Sequence, residues 1–339
     1  MQGRGHRGER RPRRARAHRR PAAVLTGPAR RVGIDLGGTK CLGVALGPGG
    51  TPVAEHRLPT PVGEAAVLDT LAETVAALGP ASAIGVGVPG LVDTAGVLRF
   101  APNLPGVVDL DVRGALMQRF PGVAVRVDND ATAAGWGEVC AGAARGATDA
   151  VLVTLGTGIG GGIVAGGAVL RGANGFAGEI GHMVVDPAGP ECPCGQRGCW
   201  ERFASGSGLG RLAREEAAAD PSGRIAELAG GDASAARGEH VTRAAAEGDA
   251  GAMGVMDAFA RWVALGLVNL ANVFDPAAFV LGGGLVEAGE VLLAPVRRAF
   301  GELVMGGGRR PAVAIVSASL GEHAGAVGAA LLAGDEPGP

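Results

Sequence analysis

Three cysteines and a histidine carry the densest chemistry in the chain. Cys192, Cys194 and Cys199 fall within eight residues, ten positions after His182, in the stretch 179–201, EIGHMVVDPAGPECPCGQRGCWE. Three thiolates and one imidazole make the closed four-ligand shell of a structural zinc ion, whereas a catalytic zinc keeps one position open. Ordinary reduced thiols are the plainer reading. Free cysteine, however, is usually buried among apolar residues, and these three sit among polar turn formers. The expectation is therefore zinc. The same stretch supplies two carboxylates, Glu179 three residues before His182 and Glu201 two after Cys199. Closing the ligand loop draws them together, and two acceptors beside an imidazole suit a small neutral molecule rich in hydroxyl groups, such as a sugar.

Two glycine-rich loops offer a second chemistry. In DLGGTK at 35–40 and GTGIGGG at 156–162, glycines let backbone N–H groups approach phosphate oxygens, and Thr39 and Thr157 add hydroxyl donors. Gly282, Gly283 and Gly284, after another strand pattern, form a third such loop. None has the G-x-x-x-x-G-K-[ST] spacing of a P-loop, and GTGIGG runs on into a hairpin pattern instead of opening a helix as a dinucleotide fingerprint does. Each loop taken singly is equally a tight turn. Asp130, in DND at 128–130, stands between a strand pattern and a helix pattern. It is either at a helix cap or a general base at the edge of a cleft.

The elements that must hold these groups alternate along the chain. Strands are expected over 32–36, 41–46, 51–58, 83–88 and 123–127, with helices over 63–78, 109–120 and 131–140. A second half opens with a strand at 150–155, the loop at 156–162 and a strand running through Val164, followed by the cysteine stretch, a helical subdomain and a long helix over 251–274. Strands at 278–281 and 313–316 and a last helix over 323–333 complete it. Such alternation argues for α/β layers, and two similar halves suggest a cleft between lobes.

A chain of 339 residues that is 47% hydrophobic, with a mean hydropathy of +0.25, supplies two cores. Its apolar runs fall short of the roughly 18 residues of a membrane span. Residues 1–31 hold eleven arginines and one glutamate, about +10, so the net charge of −2 leaves an acidic body. That head reads as solvated disorder rather than a nucleic-acid or lipid ligand, and it lacks the apolar core of a secretory signal. A cytoplasmic location is expected. The 62 glycines, and one lysine against 30 arginines, suggest a GC-rich genome more than a function.

DLGGTK, NDAT, GTGIGGG, AGEIGH and CPCGQRGCWE, in this order, closely resemble the bacterial ROK family, and within it the ATP-dependent glucokinases, over about residues 32–333. The resemblance implies a two-lobed actin-like, ribonuclease H-like ATPase fold carrying a structural zinc site. The small lobe would be 32–145 and the large lobe 146–339, with the last helix packing back on the small one. It implies ATP with Mg²⁺ and a hexose in the cleft, and a homodimer or homotetramer. Asp130 would be the base; Asn103, Asn129, Asp130, Glu179, His182 and Glu201 would touch the sugar. Asp35, Gly37, Gly38, Thr39, Lys40, Thr157 and Gly158 would face the phosphates and Mg²⁺. Repressors of the family place a DNA-binding helix-turn-helix before the first strand; here the 31 Arg/Pro-rich residues lack helical periodicity, which argues against nucleic acid. The rival readings are a kinase for mannose, fructose or N-acetylglucosamine, and a sugar-responsive regulator.

Overall fold

The computed structural model describes residues 30–334; the expectation for the basic head thus falls, apart from Arg30 and Arg31, outside the described residues. Two lobes follow one another along the chain. The first holds β1 (Arg30–Leu36), β2 (Lys40–Leu46), β3 (Pro52–Pro59), α1 (Glu64–Leu78), β4 (Ala81–Val88), β5 (Leu91–Val92), β6 (Val97–Phe100), β7 (Val108–Asp111), α2 (Val112–Arg119), β8 (Ala124–Asn129) and α3 (Asp130–Ala141). The second holds β9 (Ala150–Leu155), β10 (Ile159–Ala165), β11 (Ala168–Val169), α4 (Glu201–Ala204), α5 (Gly206–Ala219), α6 (Arg224–Leu228), α7 (Gly238–Ala246), α8 (Ala250–Phe274), β12 (Ala278–Gly282), α9 (Glu290–Leu303) and β13 (Ala314–Ser317). The final helix, α10 (Ala324–Gly334), returns to the first lobe.

Each lobe is built on a five-stranded mixed sheet of the same topology. The orders are β3-β2-β1-β4-β8 and β11-β10-β9-β12-β13. In both, three antiparallel strands are followed by two parallel ones. The central strands are near-continuous apolar runs because helices cover both faces. A third, three-stranded sheet, β5-β6-β7, extends the first lobe. The helix expected from 109 begins at Val112 instead, because Val108–Asp111 pairs with β6 and Asp111 caps the helix by accepting from Gly114 N. Strands of two to four residues show too little period to be read from sequence.

In the second lobe α8 buries Met256, Phe259, Val263, Leu267 and Leu270 against the sheet and α9. By length and composition this helix could cross a membrane, but its apolar stripe is core. It stops at Asp275, in the left-handed region at φ 44°, ahead of Pro276, as the sequence led one to expect.

Small residues set how closely α10 packs on the first lobe. Gly33 on β1 and Gly85 on β4 lie under α10 so tightly that a methyl group would overlap the carbonyls of Ala326 and Ala329. Gly328 of α10 meets the Ala133 carbonyl of α3 in the same way. At these positions glycine is a packing requirement, not genome composition alone. The chain crosses between lobes twice, after α3 and before α10, and one buried carboxylate holds both crossings. Glu138, on α3 and fully buried, accepts from Ala143 N at 2.7 Å on the outward crossing. On the return it accepts from Ser319 N at 2.9 Å and Leu320 N at 2.8 Å.

Candidate active site

Asp130 is the first residue of α3, and its neighbour Asn129 is the cap: Asn129 Oδ1 accepts from Thr132 N at 3.0 Å and Nδ2 donates to Gly90 O at 3.2 Å. The capping work thus falls to Asn129, which leaves the Asp130 carboxylate available for chemistry, with Oδ1 accepting from Ala131 N at 2.8 Å. Asp130 keeps an opening to solvent, yet protein crowds it closely enough that burial raises its pKa against the pull of its hydrogen bonds. Asp35, at the end of β1 beside β4, is pushed up to about 7, first by burial and then by the charge of Asp130; Lys40 pulls the other way. Glu179 is raised by burial and by the charges of Asp130 and Glu201, with His182 opposing. The four carboxylates Asp35, Asp130, Glu179 and Glu201 therefore form one electrostatically linked row drawn from both lobes.

The DLGGTK turn is built tightly. Gly37 N donates to Lys40 O at 2.8 Å, and Thr60 clamps the turn from outside, Oγ1 to Gly37 O at 2.7 Å and N to Thr39 O at 3.1 Å. Gly38 rests against the backbone of Asn103, and Asn103, Gly38 and Thr39 are all exposed. Thr60 carries no sequence signal. The Lys40 ammonium lies 2.6 Å from Glu322, which also takes a two-point contact from Arg57 at 2.7 and 3.1 Å.

In the second lobe Gly156 N donates to Gly158 O at 3.0 Å, closing a hairpin turn with Thr157 exposed at its tip. The start of α5 abuts this turn, Gly206 N donating to Gly156 O at 2.7 Å. Gly160, Gly161 and Gly162 belong to β10, where they admit α3 and the 178–180 segment at close range. They pack; they do not face the loop. Gly283, at φ 83°, fits against the Leu155 carbonyl, and Gly284 beside it is exposed. The 156–158 and 282–284 turns thus stand side by side at the carboxyl ends of β9 and β12, where sheets of this kind present ligands.

The cysteine stretch is a closed loop. Val185 N donates to Gly198 O at 2.9 Å and Trp200 N to Met183 O at 2.8 Å. Trp200 is fully buried, its Nε1 donating to Trp262 O of α8 at 2.7 Å. This anchor fixes Glu201, the next residue, and was not read from the sequence, although a tryptophan among turn formers was its signal. The ligand atoms of His182, Cys192, Cys194 and Cys199 lie within 4.8 Å of one another, with Sγ–Sγ of 3.6 Å for Cys194 and Cys199 and 3.7 Å from Cys192 Sγ to His182 Nδ1. Four ligands about 2.3 Å from a tetrahedral zinc stand roughly 3.8 Å apart. The side chains fit that ion. His182 divides its ring, Nδ1 to the thiols and Nε2 toward Glu179 at 3.9 Å. Glu201 links the thiols to the glycine turn: Oε1 accepts from Cys192 Sγ at 3.1 Å, and Oε2 lies where any side chain on Gly158 would collide with it.

A model of the ROK family matches residues 31–336. A glucokinase of Streptomyces coelicolor is 39% identical over 91% of this chain and 98% of its own. One from Thermotoga maritima is 35% identical over 89% and 96%. Among solved structures, a ROK family glucokinase from Streptomyces griseus in complex with glucose and AMPPNP superposes with a TM-score of 0.78 at 38% identity, over 90% of this chain and 99% of that one.

Proposed function

The chain belongs to the ROK family, and from that premise we propose that it is an ATP-dependent glucokinase of actin-like fold, transferring the γ-phosphoryl group to the 6-hydroxyl of glucose. The observation that carries this reading is the position of Asp130: a crowded carboxylate of raised pKa, freed from capping, between Asp35 on the glycine-turn side and Glu179 on the other. Phosphoryl transfer asks for positioning and charge neutralisation more than covalent chemistry. Asn103, Asn129, Glu179, His182 and Glu201 hold the sugar so that its 6-hydroxyl faces Asp130. Asp130 takes the hydroxyl proton as the oxygen attacks the γ-phosphorus in line, and the bond to the departing ADP oxygen breaks. A raised pKa makes Asp130 a better proton acceptor near neutral pH.

On the phosphate side, Gly37, Gly38, Thr39, Thr157, Gly158, Gly283 and Gly284 offer backbone and hydroxyl donors, with Gly282 setting the last turn. Asp35 would hold Mg²⁺, which when bound offsets phosphate charge. Lys40 reaches the phosphates by leaving Glu322, to which Arg57 remains paired. The zinc reading assigns His182, Cys192, Cys194 and Cys199 a structural role, closing the loop that presents Glu179 and Glu201. The lobe division at 145/146, a homodimer or homotetramer and a cytoplasmic location complete the proposal. The test is a coupled assay of initial rates with ATP across glucose, mannose, fructose and N-acetylglucosamine. Glucose should give the highest kcat/KM; a higher value for another hexose moves the substrate, and no rate with any of them ends the kinase reading.

A further inference from the structure

One ion pair joins the strand that leads into the base to the loop that carries a sugar ligand, and the phosphoryl-transfer step does not use it. Asp128 is the penultimate residue of β8, two residues before Asp130, with its side chain 8% exposed. Its Oδ1 accepts from Asn129 N at 3.1 Å, on the cap residue itself. Its Oδ2 accepts from Arg171 Nε at 2.7 Å. Arg171 belongs to the second lobe, just beyond β11, at the start of the loop 171–178 that delivers Glu179. The loop is closed on itself by Ala177 N donating to Arg171 O at 3.0 Å. It touches the first lobe at a second point: Gly175, at φ 95°, lies so close to Val92 and Asp93 that no side chain fits there. The guanidinium meets Asp128 through a single nitrogen, and Arg171 Nη2 is buried without a partner. An unsatisfied buried donor weakens the fold, and a buried ion pair is weak evidence for stability in any case. The pair is better accounted for by what it places than by what it stabilises.

We propose that Arg171 is a positioning residue, whose ion pair with Asp128 sets the distance between the base Asp130 on one lobe and the sugar-holding Glu179 on the other. The inference rests on the kinase reading of this site. Asp130 and Glu179 must meet one sugar from opposite lobes, and the pair ties together the segments that bear them, two residues before Asp130 and eight before Glu179. A displacement of about 1 Å in such a geometry is worth up to roughly 100-fold in rate.

The experiment compares wild type with Arg171→Met, Arg171→Lys, Asp128→Asn and the double variant Arg171→Met/Asp128→Asn. Each is assayed for kcat, KM for glucose and for ATP, glucose affinity from tryptophan fluorescence, and thermal midpoint. Arg171→Met and Asp128→Asn should each lower kcat by about 10- to 100-fold, with KM for ATP within about twofold and glucose binding retained. The double variant should be no slower than the worse single, because the two side chains act as one unit. Arg171→Lys keeps the charge and recovers part of kcat, and if Arg171→Met is poorly folded, Lys against wild type still decides. A thermal midpoint that falls while kcat stays within twofold overturns the proposal, as does a double variant that multiplies the two single losses. A wild type inactive on every hexose refutes the kinase reading instead, and active wild type with indifferent variants refutes this inference alone.

Discussion

Replacing Asp130 by Asn separates catalysis from folding, because the two effects have opposite signs. Asn keeps the oxygen that accepts from Ala131 N, and the helix cap is Asn129, so α3 retains its start. What is lost is the proton acceptor, a role worth about 10²- to 10⁴-fold, or roughly 3 to 5 kcal/mol of barrier. Stability should move the other way. A carboxyl whose folded pKa is raised contributes stability that is present below its unfolded pKa and is lost as pH rises through the folded value. Asp130 is raised by burial, and Asp35 is raised from 3.8 to about 7 by burial and then by Asp130. For Asp35 the shift of about three units corresponds to about 4 kcal/mol lost between pH 4 and pH 7. With Asn at 130 the charge that helps raise Asp35 is gone, so this decline should shrink. Steady-state kinetics and thermal melts from pH 4 to 8 read both effects. Expected is a steep loss of kcat with glucose affinity within about tenfold, an equal or higher melting midpoint at pH 7, and a flatter profile below it. A variant with more than about a tenth of wild-type kcat refutes the assignment of the base, with Glu179 next in line; a lower midpoint at pH 7 refutes the burial argument.

Metal analysis of the purified protein should find about one zinc per chain, and Cys194→Ser should lose it, lower the melting midpoint and raise KM for glucose; unchanged metal content in the variant would show that the four residues are not its ligands. Glu138→Gln removes the negative acceptor shared by Ala143 N, Ser319 N and Leu320 N, and denaturant unfolding should report a loss of about 2 to 3 kcal/mol; a loss below about 0.5 kcal/mol would mean that the two crossings hold themselves. Deleting residues 1–29 should leave kcat and KM within about twofold, measured side by side with the full chain, and a larger change would place the head at the site.

What the sequence disclosed was whatever is encoded locally. The four candidate metal ligands lie within eighteen residues, so their spacing alone suggested a shell, and β9 with β10 was legible as a hairpin because turn and alternation are adjacent. The glycines of GTGIGGG shared one appearance but divide in space: 156 and 158 shape the turn, while 160 to 162 admit α3, a helix some twenty residues earlier whose approach no local pattern announces. Lys40 follows Thr39 in the glycine turn, but its ion-pair partner Glu322 lies 282 positions away and has no local signal. Arg171 with Asp128 and Glu138 with Ser319 are likewise pairs across the lobes, 43 and 181 positions apart. Such contacts arise only once two separately specified sheets have been brought together.

The return of α10 to β1 and β4 has a consequence for synthesis. Translation delivers the five strands of the first lobe's main sheet, then about 200 further residues, before the helix that covers Gly33 and Gly85 leaves the ribosome. At ~5–20 residues per second, that sheet face waits roughly 10 to 40 s. Through that interval the first-made lobe is a half-finished layer, open to the wrong partner. The described chain closes nearly on itself, with Gly334 packed against the Arg31 side chain. A circular permutant that begins at Ser319 and joins Gly334 to Arg30 through a short linker would emit the covering helix first and turn the longest-range packing in the molecule into a local one.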